Sequence, residues 1–290
     1  MLERDGYPAG VPCWIDVVQG DLDRTMAFYG GLFDWTFERR TPPGAPQSYA
    51  YAYLDGLVVA GVGSAPTGDA GRVGWTSYIW VDSADDTAAT VEANGGRVLV
   101  APADIPRAGR VALCADPWGA PFGLWQAAEN RGAQVVNTPG SWNFSELDAP
   151  DVPAAGRFYG AVFGWETDPL DMRAGQTAGM WRLPGYGDFL AQRDPEIRQR
   201  QAADQAPGGF ADAVALLAPA GAEGPSDGGR WSVIFAVADA DAAFDRAVGL
   251  GATVVTPLFD TPYTRMGTVQ DPQGAALTLS QYHPPPPPSD

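Results

Sequence analysis

The chain writes one phrase twice. Asp23 to Trp35 reads DRTMAFYGGLFDW, and Pro153 to Trp165 reads PAAGRFYGAVFGW, an offset of 130 when Phe28-Tyr29 is laid over Phe158-Tyr159. A second pair follows, YIWVDSADDTAATVEANGGRV and VIFAVADADAAFDRAVGLGATV, and each half then closes on an Asp-Pro-x-Gly turn. Those turns, Asp116-Pro117-Trp118-Gly119 and Asp271-Pro272-Gln273-Gly274, stand at an offset of 155. The second half therefore carries roughly 25 extra residues, assigned to RDPEIRQRQAADQAPGGFADAVALLAP. Repetition of this kind constrains a fold strongly, because each repeat is one supersecondary unit that buries its apolar face against its neighbours.

Within a unit the pattern is strand, helix, further strands and a closing turn. Apolar residues around Trp14 and Val17 predict a strand, and Asp21 and Asp151 suit helix N-termini ahead of the two Phe-Tyr pairs. The 36 Gly and 27 Pro supply many turns between short elements. The predicted organisation is a first domain over 1–128, a linker over 129–140, and a second domain over 141–282 with its insertion around 190–228. Residues 283–290 (HPPPPPSD) form an extended polyproline tail.

Composition narrows the function. A net charge of −17 argues against nucleic acid or an anionic membrane as partner, since both attract Lys and Arg. All 18 basic residues are Arg, so Schiff-base catalysis by lysine is excluded. The start, MLERDGYPAGVPCW, has no apolar stretch of a leader, and no run reaches membrane-spanning length. Cys13 and Cys114 make no disulfide framework, which suits a reducing cytoplasm, and the lone His283 lies beside the polyproline tail, far from either thiol.

The order strand, DLDRTMAFY, GLFDW, VDSADDTAATVEANGG and DPWGAPFGLWQ resembles the vicinal oxygen chelate superfamily, from about Pro12 to Tyr282. That superfamily includes glyoxalases, extradiol dioxygenases, fosfomycin-modifying enzymes and bleomycin-binding resistance proteins. The phrases GYGDFLAQRDPEIRQRQ and FAVADADAA are similar to tandem actinobacterial members described as glyoxalase-like or hydroxylase proteins. The resemblance implies an α+β fold of four βαβββ units pairing into two incomplete barrels, each with a concave cleft. Catalytic members hold a divalent metal there with His from a unit's first strand and Glu from the strand after the Asp-Pro-x-Gly turn.

Carried over, the His positions fall at Trp14, Thr76, Phe144 and Trp231, and the Glu positions at Gly123 and Thr278. None is a metal-binding imidazole or carboxylate, so no metal ligand and no cofactor is assigned, with oxygen-only ligation of a divalent ion left open. Strand alternation then predicts what lines the clefts: Trp14, Asp16, Thr76, Tyr78, Trp80, Pro121, Gly123 and Trp125 in the first half. In the second it predicts Phe144, Glu146, Trp231, Val233, Phe235, Ala276, Thr278 and Ser280. Aromatic walls suit a flat, largely apolar organic ligand. Asp16 and Glu146, at one repeat position, are the candidate acid-base residues, against a structural role as hydrogen-bonded carboxylates. Two functions stand open, a metal-free small-molecule binder and a lyase, isomerase or oxygenase-like tailoring enzyme of secondary metabolism. The fused repeats favour a monomer over a homodimer, and the sequence does not rank the halves.

Overall fold

The computed structural model describes residues 3–42, 45, 47–65, 74–173, 176–220 and 228–283. The polyproline tail from 284 and residues 221–227 of the expected insertion lie outside them.

Four units follow one another. The first runs β1 (Pro12–Gln19), α1 (Leu22–Phe33), β2 (Thr36–Arg39), β3 (Tyr49–Leu54) and β4 (Leu57–Ser64). The second runs β5 (Gly74–Trp80), α2 (Ala84–Ala93), β6 (Arg97–Ile105), β7 (Gly109–Ala115) and β8 (Pro121–Ala127). The third has β9 (Trp142–Ala149), α3 (Val152–Phe163), β10 (Glu166–Arg173) and β11 (Gln176–Arg182). It adds two short helices, α4 (Tyr186–Ala191) and α5 (Ile197–Ala203), before β12 (Ala213–Pro219). The fourth has β13 (Arg230–Ala236), α6 (Ala240–Gly249), β14 (Thr253–Asp260), β15 (Thr264–Gln270) and β16 (Ala276–Tyr282). One device starts α1, α2, α3 and α6: the side chains of Asp21, Ser83, Asp151 and Asp239 accept the amide three residues on. That satisfies an otherwise orphaned donor in the first turn.

Units one and two form an eight-stranded sheet ordered β2-β3-β4-β1-β5-β8-β7-β6. Units three and four form a second in the same order, β10-β11-β12-β9-β13-β16-β15-β14. The sheets lie back to back. Strand β5 meets β13 at the centre, α1 packs beside α6 and α2 beside α3. Ser77 and Ser145 join hydroxyls across this seam at 2.6 Å. Ile15 and Val17 of β1 share a core with Val233 and Phe235 of β13, and Phe122 and Leu124 of β8 share one with Phe158 and Tyr159 of α3.

The repeated phrase tightens this seam. Tyr29 donates its hydroxyl to Asp271 Oδ2 at 2.8 Å and accepts from Trp75 Nε1 at 3.0 Å. Tyr159 does the same with Asp116 at 3.2 Å and Trp231 at 2.9 Å. Each tyrosine thus ties its own half's helix to the Asp-Pro-x-Gly turn of the other half. The closing tryptophans match: Trp35 Nε1 donates to Gly140 O and Trp165 Nε1 to Gly10 O, both at 2.7 Å.

The extra residues of the second half fall between β11 and β12, at 183–212, rather than running on to 228. In the first half, the turn Asp55-Gly56 alone joins β3 to β4. The stretch AVALLAP, expected to belong to the insertion, is β12, hydrogen-bonded alongside β9 with Leu216 opposite Glu146. Its run of apolar residues suits a strand packed between neighbours.

Candidate functional site

Concave faces point away from the shared core, and strand register fixes what each presents, because residues opposite one another on paired strands share a face. On the first sheet Tyr51, Gly61, Asp16 and Thr76 stand in one row. Trp14, Tyr78 and Gly123 stand in the next, and Trp80 and Trp125 in a third. The six sequence-predicted residues Trp14, Asp16, Thr76, Tyr78, Trp80 and Trp125 are therefore brought together, and all are buried.

The half's own tyrosines cover Trp14 and Asp16. Tyr49 and Tyr78 donate their hydroxyls to the Asp16 carboxylate at 3.0 and 3.1 Å, and Trp14 Nε1 donates to the Tyr49 oxygen at 3.2 Å. Burial, with the Asp16 charge beside it, pushes the Tyr49 phenol well above its usual range, so it stays a neutral donor. Tyr51 closes edge-on over Trp14 at 5.5 Å. The floor has been fitted to these rings. A Cβ on Gly123 would lie 2.0 Å from the Tyr78 ring, and one on Gly61 would lie 1.9 Å from the Tyr49 hydroxyl. Trp125 Nε1 donates to Asn130 O at 2.9 Å, and the Arg131 guanidinium lies 5.1 Å above the Trp80 ring. Asp16 is thus a hydrogen-bonded carboxylate inside a filled cleft.

The second sheet differs at the same positions. Met180, Leu216, Glu146 and Ser232 form one row, and Phe144, Ile234, Thr278 and Thr268 the next, with Ser280 beyond. Phe144 and Glu146 remain half-buried rather than sealed. Hydroxyls of Thr268 and Thr278 pair at 2.9 Å beside the apolar Phe144 and Ile234. Glu146 keeps some surface open to water but is surrounded by protein on nearly every side. Burial pushes its carboxyl up to about 7, the Asp148 charge adds to the rise, and Arg230 opposes it. Glu146 thus changes protonation near neutral pH.

Strand β13 lies one residue out of the register its sequence suggests. Trp231, Val233 and Phe235 face the shared core, not the cleft: Trp231 bonds Tyr159, and Phe235 packs tilted against Phe33 and edge-on to Trp35 and Trp75. The cleft residues of β13 are Ser232, Ile234 and Ala236. The reason is that β13 is apolar on both faces, so alternation does not reveal which side is which. A signal existed in Trp75-Thr76, whose counterpart is Trp231-Ser232. The regular YAYAYL of β3 likewise marks Tyr49 and Tyr51 as one face.

Residues 13–124 match the Glyoxalase/Bleomycin resistance protein/Dioxygenase superfamily, and residues 145–280 match the Glyoxalase-like domain. The Mycobacterium tuberculosis protein CFP32, whose name assigns it only provisionally as a glyoxylase, is 32% identical over 284 residues, 96% of this chain and 97% of that one. The chain belongs to this superfamily. It is a tandem member with actinobacterial relatives, among them the anthracycline biosynthesis protein DnrV of Streptomyces peucetius, 32% identical over 286 residues and 94% of each chain. Among solved folds, the Mn(II)-bound glyoxalase of Novosphingobium aromaticivorans aligns with a TM-score of 0.58 at 15% identity, covering 94% of this chain and 82% of that one. A catechol 2,3-dioxygenase aligns at 0.57 and 13%, covering 98% and 92%. These two likenesses are of superfamily fold, the paired concave sheets. No helix among the described residues is long and apolar enough to cross a membrane.

Proposed function

We propose that the second half's concave face binds a small, largely apolar or aromatic organic molecule, with the Glu146 carboxyl as its one titrating contact and without the superfamily's imidazole-carboxylate metal site. The observation that carries this is the contrast between two equivalent floors. The first buries its carboxylate, Asp16, under the Tyr49 and Tyr78 hydroxyls, while the second leaves Phe144 and Glu146 half-buried beside the buried Met180, Ile234 and Thr278. Apolar walls with a few directed polar groups suit a small organic ligand. The Streptomyces relative is named for anthracycline biosynthesis, which fits an aromatic ligand class.

The donors present do not fit the metal chemistry of the glyoxalase and dioxygenase folds. The positions that would supply it hold Trp14, Thr76 and Gly123 in one half and Phe144, Ser232 and Thr278 in the other. Among the described residues no three His, Cys, Asp or Glu side chains converge. Hydroxyls alone are weak ligands for zinc or manganese.

The test is a titration of the whole chain with 1-naphthol and 1-hydroxyanthraquinone, followed by tryptophan fluorescence. Saturable binding that Ile234→Trp abolishes and Tyr78→Phe leaves unchanged supports the second cleft. Absence of binding, or equal loss in both variants, removes the reading. Glu146 also favours a second reading, proton transfer to or from a bound ligand, since a group titrating near neutrality serves as acid or base. Turnover that survives Glu146→Gln would eliminate it.

A further inference from the structure

The 183–212 insertion sits where the second cleft opens. Its last turn, Phe210–Asp212, sets the Phe210 ring edge-on to Phe144 at 6.0 Å, directly on the cleft floor. Farther back, the Tyr282 hydroxyl at the end of β16 donates to Asp204 O at 3.4 Å. Strands β9 and β16 flank β13, so the segment reaches both sides of the three-strand floor. Leu183 N donates to Asp212 O at 2.9 Å and Gly187 N to Asp212 Oδ1 at 2.7 Å, which pinches the insertion's two ends together.

Two features hold Phe210 in place. Gly209 adopts φ +75°, in the left-handed region that favours glycine. The other end of the insertion is braced on the first half: Arg4 Nη1 donates to the Tyr186 hydroxyl at 2.6 Å, and Arg193 pairs with Asp5. The first half, whose cleft is filled, has only a two-residue turn at this point. Thus the chain places a strap over the second cleft and none over the first.

We infer that this strap selects the ligand, with Phe210 as the wall that limits how many fused rings fit beside Phe144. The inference rests on the binding reading above and deepens it. Phe210 adds a rigid aromatic face at low entropic cost, and changing the volume of such a wall changes discrimination more than overall affinity.

The experiment compares wild type, Phe210→Ala and Phe210→Trp for binding of 1-naphthol (two fused rings) and 1-hydroxyanthraquinone (three). Expected is a shift of the affinity ratio by about tenfold toward the larger probe in Phe210→Ala, and toward the smaller in Phe210→Trp. Circular dichroism and the unfolding midpoint report whether each variant is folded. A ratio unchanged in both folded variants, while Ile234→Trp still abolishes binding, overturns the strap's selecting role and leaves the cleft standing. No binding of either probe by any folded form overturns both.

Discussion

Replacing Glu146 by Gln should stabilise the protein, and only above a certain pH. The carboxyl is pushed from its ordinary 4.5 to about 7 in the folded chain, chiefly by burial. A folded value above the unfolded one means that the native state prefers the protonated acid. Its favourable contribution is complete below pH 4.5 and is lost as pH rises through 7. At about 1.4 kcal/mol per unit, full ionisation costs roughly 3 kcal/mol. Water reaches part of the group and trims this toward about 2 kcal/mol. Glutamine keeps the shape and never ionises. Urea unfolding of both proteins should therefore give equal stabilities near pH 4.5 and a variant about 2 kcal/mol more stable at pH 8, with the difference opening across pH 4.5 to 7. Taking the difference between two proteins cancels the other acidic groups of this −17 chain. Asp148→Asn removes the second cause of the rise and should move the upper end of the window down. A stability difference that stays flat with pH, or a variant weaker at pH 8, would refute the reasoning.

Gly123→Ala should destabilise by about 1–3 kcal/mol through overpacking against Tyr78, and the Tyr78→Ala background should recover most of that loss; additive losses in a double-mutant cycle on unfolding midpoints would count against the filled first cleft. Tyr29→Phe and Tyr159→Phe each leave a buried carboxylate and an indole N–H short of one partner. Each should lower stability by about 1–3 kcal/mol, seen as one cooperative transition for both halves together; separate transitions would show that the seam does not couple them.

Much of this was legible in the sequence for a simple reason: a unit used four times repeats its signals. The N-capping Asp21 and Asp151, the Phe-Tyr pairs and the two Asp-Pro-x-Gly turns are all local, and they lie where their order predicts. The cleft floors were half legible. The alternation places Trp14, Asp16, Tyr78 and Trp125 on the first concave face and Phe144, Glu146 and Thr278 on the second, but β13 has a hydrophobic side chain on both faces, which hides its register. What set Asp16 apart from Glu146 could not be read locally. Tyr49 comes to Asp16 from a strand 33 residues away, and Phe210 comes to Phe144 from an insertion 66 residues on. Equivalent letters in a repeat therefore carried unequal environments.

The two faces of each sheet explain why the halves agree where they do. Tyr29 and Tyr159, Trp35 and Trp165, Trp75 and Trp231, and Asp116 and Asp271 are identical pairs on the shared side; the tyrosines bond the aspartates across the seam, and Trp75 and Trp231 each bond the tyrosine of their own half. On the concave side the pairs diverge: Trp14 and Phe144, Asp16 and Glu146, Gly61 and Leu216, Tyr78 and Ile234, Gly123 and Thr278. A change on the seam strands a partner in the other half, so both copies are held by one set of contacts. A change on a concave face disturbs its own half alone. One face can then gather tyrosines around its carboxylate, while the other carries different side chains at those positions and gains a strap. A rescue experiment tests this directly: Gly123→Thr in the first half should destabilise alone and be largely rescued by Tyr78→Ile in the same half, whereas no substitution within the first half should rescue Tyr29→Phe, whose lost partner Asp271 lies in the other.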